Sequence, residues 1–216
     1  MKQKKKLMKK LLNKKDIKIK LIFFDFDGVI INSKKNMEVS WKEVQKKTGS
    51  KVKFNKYFNK IGVPFYKILT KINFDKEFKY AKKAYDEASI KNINKIKLFP
   101  RAKLILNKLS KEYIIVLITS KSRARTQIIL KKFKLKFDHI FCPEDNFKSK
   151  PNPEVINYLK KKYKLKKNEI IVIGDSLADK NLAQNAKVKF IFAKYGYFKL
   201  RSTNSIKNLT EIGKFI

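Results

Sequence analysis

The sequence predicts an α/β fold: a parallel β-sheet with helices on both faces and a helical domain inserted near its start. Two observations support this prediction. Apolar runs of strand length alternate with helical patterns along much of the chain, as in βαβ units. Residues 34–97, by contrast, contain no convincing strand and several helical patterns. We therefore expect a Rossmann-like sheet with an inserted helical cap over the carboxyl ends of its strands.

The N-terminal lead, residues 1–18, is rich in lysine and carries apolar residues at helical spacing. It predicts a short amphipathic helix or a frayed tail, with a membrane-surface anchor as the less favoured alternative. No apolar run approaches the roughly 20 residues of a membrane-spanning helix, and no secretory signal is visible. The one cysteine, Cys142, cannot form an internal disulfide. These features favour a cytoplasmic protein without a membrane span.

The chain is strongly basic, with 55 Lys and Arg against 18 Asp and Glu and a net charge of +37. Such a surface can attract nucleic acid or anionic membranes. The lysines, however, run along the whole chain, arginine is scarce, and no nucleic-acid-binding motif is present. Lysine, isoleucine and asparagine share A/T-rich codons, so a genome of low GC content produces the same composition. We favour that interpretation and expect no specific nucleic-acid partner.

The strands of the core alternate with helices after the insertion. Three of the strands are near-continuous apolar runs, which is typical of strands buried on both faces of a parallel sheet. The predicted strands are residues 19–25, 113–119, 138–142, 169–174 and 188–192, and the helices between the later strands are near 122–134, 152–164 and 177–186.

The insertion is predicted to consist of helices near 35–47 and 75–92, with shorter helical pieces across 54–71. Gly62 and Pro64 interrupt its middle. The expected organisation is a basic lead at 1–18, a core domain formed by 19–33 and 97–216, and a helical cap domain formed by 34–96.

Polar side chains follow the predicted strands at the point where each of them ends. Because the carboxyl ends of parallel strands meet at the same edge of a sheet, we expect these groups to converge there. They are Asp25 and Asp27 after the first strand, Thr119 and Ser120 after the second, Lys150 after the short third, and Asp175 and Asp179 after the fourth.

The two neighbouring carboxylates Asp25 and Asp27 need a compensating charge. In an extended chain both side chains lie on the same side, and Gly28 lets the backbone turn away at once. Close carboxylates repel each other and cost free energy to desolvate. Together with Asp175 they form an oxygen-rich pocket that suits Mg²⁺, which takes carboxylate and phosphate oxygens. Mg²⁺ and Lys150 would neutralise charge so that a phosphate can approach a carboxylate nucleophile.

Four motifs occur in the order DFDGV, LITSKS, KSKPNPE and VIGDSLAD. Together they resemble the haloacid dehalogenase (HAD) superfamily of phosphohydrolases, and the insertion resembles the helical C1-type cap of that family. The likeness extends from about residue 19 to about residue 198 and is closest to the phosphoglycolate-phosphatase-like group. The resemblance implies the HAD fold.

The resemblance also implies catalytic and metal-binding roles. Asp25 would be the nucleophile that forms a phosphoaspartyl intermediate, and its carboxylate would bind Mg²⁺. Asp27 would be the general acid and then the general base, with its backbone carbonyl as a further metal ligand. Asp175 would bind Mg²⁺, and Asp179 would bind it through water or orient Lys150.

Phosphate binding is implied for three further residues. Thr119 and the adjacent Ser120 would hold the phosphoryl oxygens, and Lys150 would neutralise charge on the nucleophile and the transferring phosphoryl group. One position departs from the family pattern: Asn32 stands where the family often has aspartate. The departure concerns the hinge of the cap more than the catalytic set.

The predicted function is a Mg²⁺-dependent phosphomonoester hydrolase that acts on a small phosphorylated metabolite, as a monomer or a homodimer. An acid at Asp27 favours phosphoryl chemistry over carbon–halogen cleavage, because dehalogenases of the superfamily lack it. Two alternatives remain open. One is a phosphomutase similar to β-phosphoglucomutase, and the other is a lysine-rich nucleic-acid- or membrane-associated module on the same fold.

Several further residues have less specific interpretations. We expect Trp41 to pack within the cap, His139 to be structural and Cys142 to be buried. For Arg123 and Arg125, which follow the second strand, a solvated helix face is favoured slightly over a site for a second anionic group.

Overall fold

The structure is a computed structural model that describes residues 19–216. The helix predicted in the N-terminal lead therefore lies outside the described residues. The strands are β1 (Leu21–Phe24), β2 (Ile31–Asn32), β3 (Lys97–Leu98), β4 (Ile114–Ile118), β5 (His139–Phe141), β6 (Ile170–Gly174), β7 (Lys189–Ala193) and β8 (Ser205–Ile206).

The helices divide into a group before β3 and a group after it. Those before it are α1 (Lys34–Thr48), α2 (Phe54–Phe58), α3 (Phe65–Lys71) and α4 (Phe78–Lys91). Those after it are α5 (Ala102–Leu109), α6 (Arg123–Phe133), α7 (Glu154–Lys162) and α8 (Leu177–Ala186). Short 3₁₀ turns occupy Ile93–Lys95, Lys167–Glu169 and Leu209–Lys214.

Six of the strands form one parallel sheet in the order β5-β4-β1-β6-β7-β8. The central strand β1 pairs with β4 on one side and β6 on the other. The five strands predicted from the sequence are all present, and the predicted parallel α/β class is confirmed. Because β1 is central, the residues that follow it lie between those that follow β4 and β6.

Side chains of the sheet alternate between two apolar layers. Ile22 and Phe24 pack in the layer that also holds α5 and α6, whereas Leu21 and Phe23 pack in the layer that holds α7 and α8. The side chains of β1, β4 and β6 are buried along their whole length. This two-sided burial explains why the strands read as unbroken apolar runs.

Residues 34–96, called the cap segment below, form helices with an apolar cluster of their own. Trp41 is fully buried there, stacks on Tyr57 with 4.4 Å between ring centroids, and donates from Nε1 to the Val52 carbonyl at 2.7 Å. The prediction that Trp41 packs within the cap segment is confirmed. Helices α1 and α4 pack against each other through most of this segment.

A two-stranded antiparallel ribbon joins the cap segment to the rest of the chain. Ile31 pairs with Leu98 and Asn32 with Lys97, so the chain leaves and returns at one place. The sequence did not predict these two strands, the edge strand β8 or helix α5. Among residues 19–216, no helix is long and apolar enough to cross a membrane.

Candidate active site

Three buried aspartates meet at the carboxyl edge of the sheet. Asp25 follows β1 directly, Asp175 follows the neighbouring strand β6, and Asp179 lies in the first turn of α8. One carboxylate oxygen from each lies within 4.8 Å of the others. The exposed fractions of the three residues are 5%, 1% and 0%. The fold therefore brings together Asp25 and Asp175, two of the three predicted metal ligands, with Asp179, which was predicted to bind the metal through water or to orient Lys150.

Glycines make this close approach possible. Gly28 has φ of 84°, and a Cβ built there would overlap the carboxylate of Asp175. A Cβ on Gly196 would overlap the same side chain, and one on Gly174 would overlap Asp179. The backbone therefore packs closely against Asp175 and Asp179, and main-chain contacts as well as side-chain contacts fix the positions of these two acids.

Lys150 is the cation that the chain itself places among these acids. Its Nζ donates to Oδ1 of Asp25 and to Oδ1 of Asp179, both at 2.8 Å, and the residue is 2% exposed. Burial lowers the pKa of Lys150, but the carboxylates of Asp179 and Asp25 outweigh burial and hold it above its ordinary value. Lys150 therefore carries a full positive charge at neutral pH.

The acids nevertheless outnumber their buried counter-charge. Burial, followed by the negative charge of Asp179, raises the pKa of Asp25 from 3.8 to about 7. Burial and the charge of Asp25 raise the pKa of Asp175 as well. A pocket of carboxylate oxygens with excess negative charge is the donor set that a hard divalent cation prefers. The residues present thus fit Mg²⁺, which would relieve this repulsion.

Asp179 has a second set of contacts that ties it to the start of α8. Its Oδ2 accepts from the backbone N–H of Ser176 at 3.1 Å and from the Ser176 hydroxyl at 2.6 Å, while the Asp179 N–H donates back to that hydroxyl. This capping box fixes the carboxylate. Because Oδ2 of Asp179 is held by Ser176 and Oδ1 accepts from Lys150, Asp179 is placed to orient Lys150.

The side chain of Asp27 lies outside the group of three acids. Its Oδ1 accepts a hydrogen bond from the Ser33 hydroxyl and lies 3.2 Å from Nζ of Lys121, which is 4% exposed. Burial lowers the pKa of Lys121, and the charge of Asp27 opposes that effect. Sequence reasoning missed Lys121 because it is one lysine among many; its place directly after Thr119 and Ser120 was the available signal.

Thr119 and Ser120 use their hydroxyl groups within the chain. Oγ1 of Thr119 accepts from the Lys121 N–H at 3.1 Å. Thr119 lines a small space together with Lys150 and does not line the cavity that Asp25 and Ser120 share. The Ser120 hydroxyl donates to the carbonyl of Gly62 in the cap segment at 2.9 Å. Ser120 therefore links the sheet edge to the cap segment, and its predicted contact with phosphate remains a prediction.

A small cavity, called the chamber below, lies between the acids and the cap segment. Its volume is about 40 Å³, and its polar wall includes Asp25, Asp27, Asp175 and Lys121. Tyr57, Phe65 and Tyr85 of the cap segment form much of its apolar wall. A wider cleft of about 720 Å³ adjoins the chamber and shares Phe65, Ser120 and Arg125 with it. Together the two spaces provide the enclosed polar site that a small ligand needs.

Arg125 departs from the prediction of a solvated helix face. It is only 5% exposed, its Nε lies 3.0 Å from Oδ1 of Asp86, and its guanidinium lies 5.1 Å from the ring centroid of Tyr85. The sequence expectation was wrong because the cap segment covers this face of α6. Arg123 lies two residues earlier, is partly exposed and pairs with Asp145.

Tyr197 supports two of the acids from the C-terminal side. Its backbone N–H donates to Oδ2 of Asp175 at 2.6 Å, and its hydroxyl accepts from the N–H of Ser33 at 2.6 Å. Since the Ser33 hydroxyl bonds Asp27, one residue connects both carboxylates. Sequence reasoning did not select Tyr197, because the residues around it do not indicate that its hydroxyl contacts Ser33, which is distant in the sequence.

Three further residues considered in the sequence analysis do not line the chamber. Nε2 of His139 lies 2.6 Å from the hydroxyl of Tyr163, which agrees with a structural role. Cys142 is 6% exposed, as predicted, and burial raises the pKa of its thiol to about 11. Asn32 is exposed in the ribbon.

Residues 22–193 match the model of the haloacid dehalogenase-like hydrolase family. The chain belongs to this family. The match runs from β1 through β7 and so contains the acids, Lys150 and the cap segment.

Similar proteins narrow the class of reaction. The chain is 29% identical to a protein of Caldanaerobacter subterraneus provisionally named as the pyrophosphatase PpaX, over 83% of each chain. It is 26% identical to the phosphoglycolate phosphatase of Vibrio vulnificus, over 83% of this chain and 85% of that one. A crystal structure described as a predicted phosphoglycolate phosphatase of Haemophilus somnus superposes with a TM-score of 0.80 at 24% identity, covering 92% and 98%. The protein is a phosphatase of the haloacid dehalogenase-like family.

Proposed function

We propose that this phosphatase is a Mg²⁺-dependent phosphomonoester hydrolase, similar to phosphoglycolate phosphatases, that acts on a small phosphorylated metabolite through a phosphoaspartyl intermediate. The observation that carries the proposal is the position of Asp25: its carboxylate lies within 4.8 Å of those of Asp175 and Asp179, bonds Lys150, and lines the chamber. A buried nucleophile, a cation site and an enclosed space thus coincide.

Asp25 acts as the nucleophile in this proposal. One of its oxygens attacks phosphorus, and the bond between phosphorus and the leaving oxygen breaks as the acyl phosphate forms. Lys150, held 2.8 Å from Oδ1 of Asp25, offsets negative charge on the nucleophile and the incoming phosphoryl group. Asp179 keeps Lys150 in this position through its own 2.8 Å hydrogen bond.

Asp27 moves the protons. It protonates the leaving oxygen, and the resulting carboxylate then takes a proton from the water that attacks the acyl phosphate. That second step releases inorganic phosphate and regenerates Asp25. The hydrogen bond from Ser33 and the nearby Lys121 hold Asp27 at the chamber, beside and not within the group of metal-binding acids.

Mg²⁺ held by Asp25 and Asp175, with Asp179 and the backbone carbonyl of Asp27 as further candidates, would supply positive charge toward the phosphoryl oxygens. Gly28 and Gly196 leave the room around Asp175 that such a site needs. Within the group of three acids, three carboxylates surround the single ammonium group of Lys150, and this local excess of negative charge supports the assignment.

The cap segment excludes water and contacts the leaving group in this proposal. Its link from Gly62 to Ser120 and the aromatic wall of the chamber support that role. We propose the same division that the sequence predicted, with residues 34–96 as the cap domain and 19–33 with 97–216 as the core. A cytoplasmic location and a monomeric or homodimeric state stay predictions.

A phosphate-release screen tests the proposal. The wild type and Asp25→Asn are assayed against small phosphomonoesters with Mg²⁺ and with a chelator, and Asp75→Asn, an exposed acid on the cap segment, is the matched control. We expect turnover in the wild type and the control that depends on Mg²⁺, and a loss of at least about a thousandfold in Asp25→Asn. No turnover of any ester by the folded wild type would refute the proposal.

The two alternatives give different outcomes in the same screen. A phosphomutase isomerises a sugar phosphate without net release of phosphate. A polyanion-binding module binds nucleic acid or anionic vesicles with affinity that survives Asp25→Asn and falls steeply with salt. Release of phosphate that requires both Mg²⁺ and Asp25 excludes both alternatives as the main activity.

A further inference from the structure

The proposed chemistry leaves one buried cation of the site without a role. Lys150 serves Asp25, and Lys121 lies beside Asp27. Arg125 also lines the chamber, and it is buried to the same degree. Asp86 pairs with Arg125 and so offsets the cost of burying an arginine, but the ion pair does not explain why the guanidinium stands at the wall of the chamber.

The position of Arg125 is defined by the two spaces that meet at it. The chamber, at about 40 Å³, has room for roughly three water molecules, which is close to the size of one phosphoryl group. The adjoining cleft is about 720 Å³. A substrate with its phosphoryl group at Asp25 must therefore place its leaving group toward the cleft, past the shared residues Phe65, Ser120 and Arg125.

The guanidinium of Arg125 retains capacity to bind a ligand. Its Nε donates to the Ser122 hydroxyl at 3.1 Å, and its Nη1 lies 3.4 Å from the Ser89 hydroxyl. A guanidinium has five N–H donors; these two contacts and a hydrogen bond with the Tyr85 side chain use three of them, so two remain for a ligand. The Tyr85 ring supports the guanidinium and restricts its rotation, which favours planar recognition of an anion.

The charge around Arg125 is positive despite its ion pair. Asp86 pairs with Arg125 and also with Lys82, so one carboxylate serves two cations. Lys82, Lys67 and Lys148 line the cleft and contribute three positive charges. Glu144 contributes the one carboxylate among the residues that line it. An anionic group that enters the cleft therefore gains favourable electrostatic interactions as it approaches Arg125.

We propose that Arg125 binds a second anionic group of the substrate, so that preferred substrates are phosphomonoesters whose leaving group carries a carboxylate or a further phosphate. This inference rests on the proposed function, because it assumes that the phosphoryl group lies at Asp25. It assigns substrate selection to a core helix as well as to the cap segment. Arg125 is then a specificity residue that contacts the part of the substrate distant from the reacting bond.

A matched pair of substrates tests the assignment. 2-Phosphoglycolate carries a carboxylate where 2-hydroxyethyl phosphate carries a neutral group of similar size. We expect wild-type kcat/KM to favour the charged ester, and Arg125→Gln to lower the ratio of the two kcat/KM values by about 10- to 100-fold, mainly through KM of the charged ester. Arg125→Lys keeps the positive charge but lacks the planar set of donors of the guanidinium. Its ratio of the two kcat/KM values should lie between those of Arg125→Gln and the wild type.

Asp86→Asn separates recognition from structural support. It breaks the same ion pair but leaves the guanidinium, so the ratio should be retained or increased. If Arg125 only fastens the cap segment through Asp86, both variants lower kcat/KM for both esters by similar factors, and the inference is wrong. Equal wild-type kcat/KM for the two esters also overturns it.

The neutral ester keeps this test apart from the test of the proposed function. Wild-type hydrolysis of 2-hydroxyethyl phosphate with no preference for 2-phosphoglycolate refutes the inference alone. Failure to hydrolyse any phosphomonoester refutes the function on which it rests. Circular dichroism and thermal unfolding of each variant establish that it is folded; if Arg125→Gln is not, Arg125→Lys decides the question through a selective rise in KM for 2-phosphoglycolate.

Discussion

Asp25 has a buried carboxyl group whose surroundings oppose the role that we propose for it. A nucleophile must be ionised, yet burial and the charge of Asp179 raise the pKa of Asp25 to about 7. Lys150 opposes this shift but shares its positive charge with Asp179. The residue is therefore held close to the pH at which a small change in local charge decides its protonation, and a bound cation would favour the ionised form.

A pH-dependent stability follows from the raised pKa of Asp25. Its folded-state pKa, about 7, lies above the ordinary value of 3.8, so the folded state binds the extra proton. The stabilisation from that proton is complete below about pH 4 and is lost as pH rises through 7. In metal-free protein, Asp25→Asn should gain about 2–4 kcal/mol in the free energy of unfolding relative to wild type between pH 4 and pH 8.

Denaturant unfolding of both proteins at several pH values, with a chelator present, measures this difference. The comparison between variants removes the general effect of charge repulsion in so basic a chain. A constant difference between wild type and Asp25→Asn across this range contradicts the prediction. Adding Mg²⁺ at pH 8 should stabilise the wild type more than the variant.

Arg125 and Lys121 show where the sequence was insufficient at the level of single residues. The acids and Lys150 were selected because each stands at a strand end within a recognisable motif. Arg125 lies on α6, and the apolar pattern of that helix does not indicate that the cap segment covers it. We therefore expected Arg125 to lie on a solvated helix face. Lys121 was hidden by composition: in a chain with 55 Lys and Arg, one lysine carries little information.

The turn after β1 is an element whose conformation the proposed metal site requires. Gly28→Ala would place a Cβ against the Asp175 carboxylate at a residue with φ of 84°. We expect this variant to lose Mg²⁺ affinity by at least about tenfold and to lose activity with it. Gly49→Ala is the matched control, because Gly49 also has positive φ, at 68°, but has no atom within 4 Å of the added Cβ.

Isothermal titration with Mg²⁺ and phosphate-release assays compare the two glycine variants. Backbone strain alone should cost each about 1 kcal/mol in stability. Similar losses of Mg²⁺ affinity in Gly28→Ala and Gly49→Ala would show that the space beside Asp175 is unimportant.

The segment after β7 connects Asp175 with Asp27, the proposed general acid. Tyr197→Phe removes the hydroxyl that accepts from the Ser33 N–H at 2.6 Å, and Ser33 positions Asp27. We expect kcat to fall by about tenfold with little change in KM, because Asp27 is less well oriented. Tyr195→Phe is the control: its hydroxyl donates to the Val29 carbonyl at 3.0 Å and does not contact Asp27 or Ser33.

Steady-state kinetics of the two tyrosine variants decide between positioning and general support. If Tyr197→Phe loses stability but keeps kcat, the residue serves the fold alone. If Tyr195→Phe lowers kcat as much as Tyr197→Phe, the segment acts as a whole and not through Ser33.

Elements were predicted where the chain carries a long enough pattern. The five main strands are apolar because both faces are covered, and their boundaries agree with the structure to within two residues. β2, β3 and β8 each have two residues, so no period can be read from them. Their pairing is decided by hydrogen bonds to distant parts of the chain, which local sequence does not encode.

The net charge of +37 acts on the molecule as a whole. A field of this sign raises the local concentration of anionic substrates and weakens as salt screens it. We expect KM for 2-phosphoglycolate to rise by about three- to tenfold between 20 mM and 500 mM NaCl, with kcat nearly constant. Initial-rate assays at fixed Mg²⁺ measure this change. A KM independent of salt would show that the lysines do not act on the substrate.

The ribbon of β2 and β3 has a consequence for how such a protein diversifies. Both covalent crossings between the parallel sheet and residues 34–96 run through one pair of adjacent dipeptides, Ile31–Asn32 and Lys97–Leu98. An exchange of everything between these crossings leaves the register of the main sheet untouched. We expect that grafting the corresponding helices of a relative at this junction yields a folded chimera. Evolution could then change the substrate specificity of such a protein while the reaction stays the same.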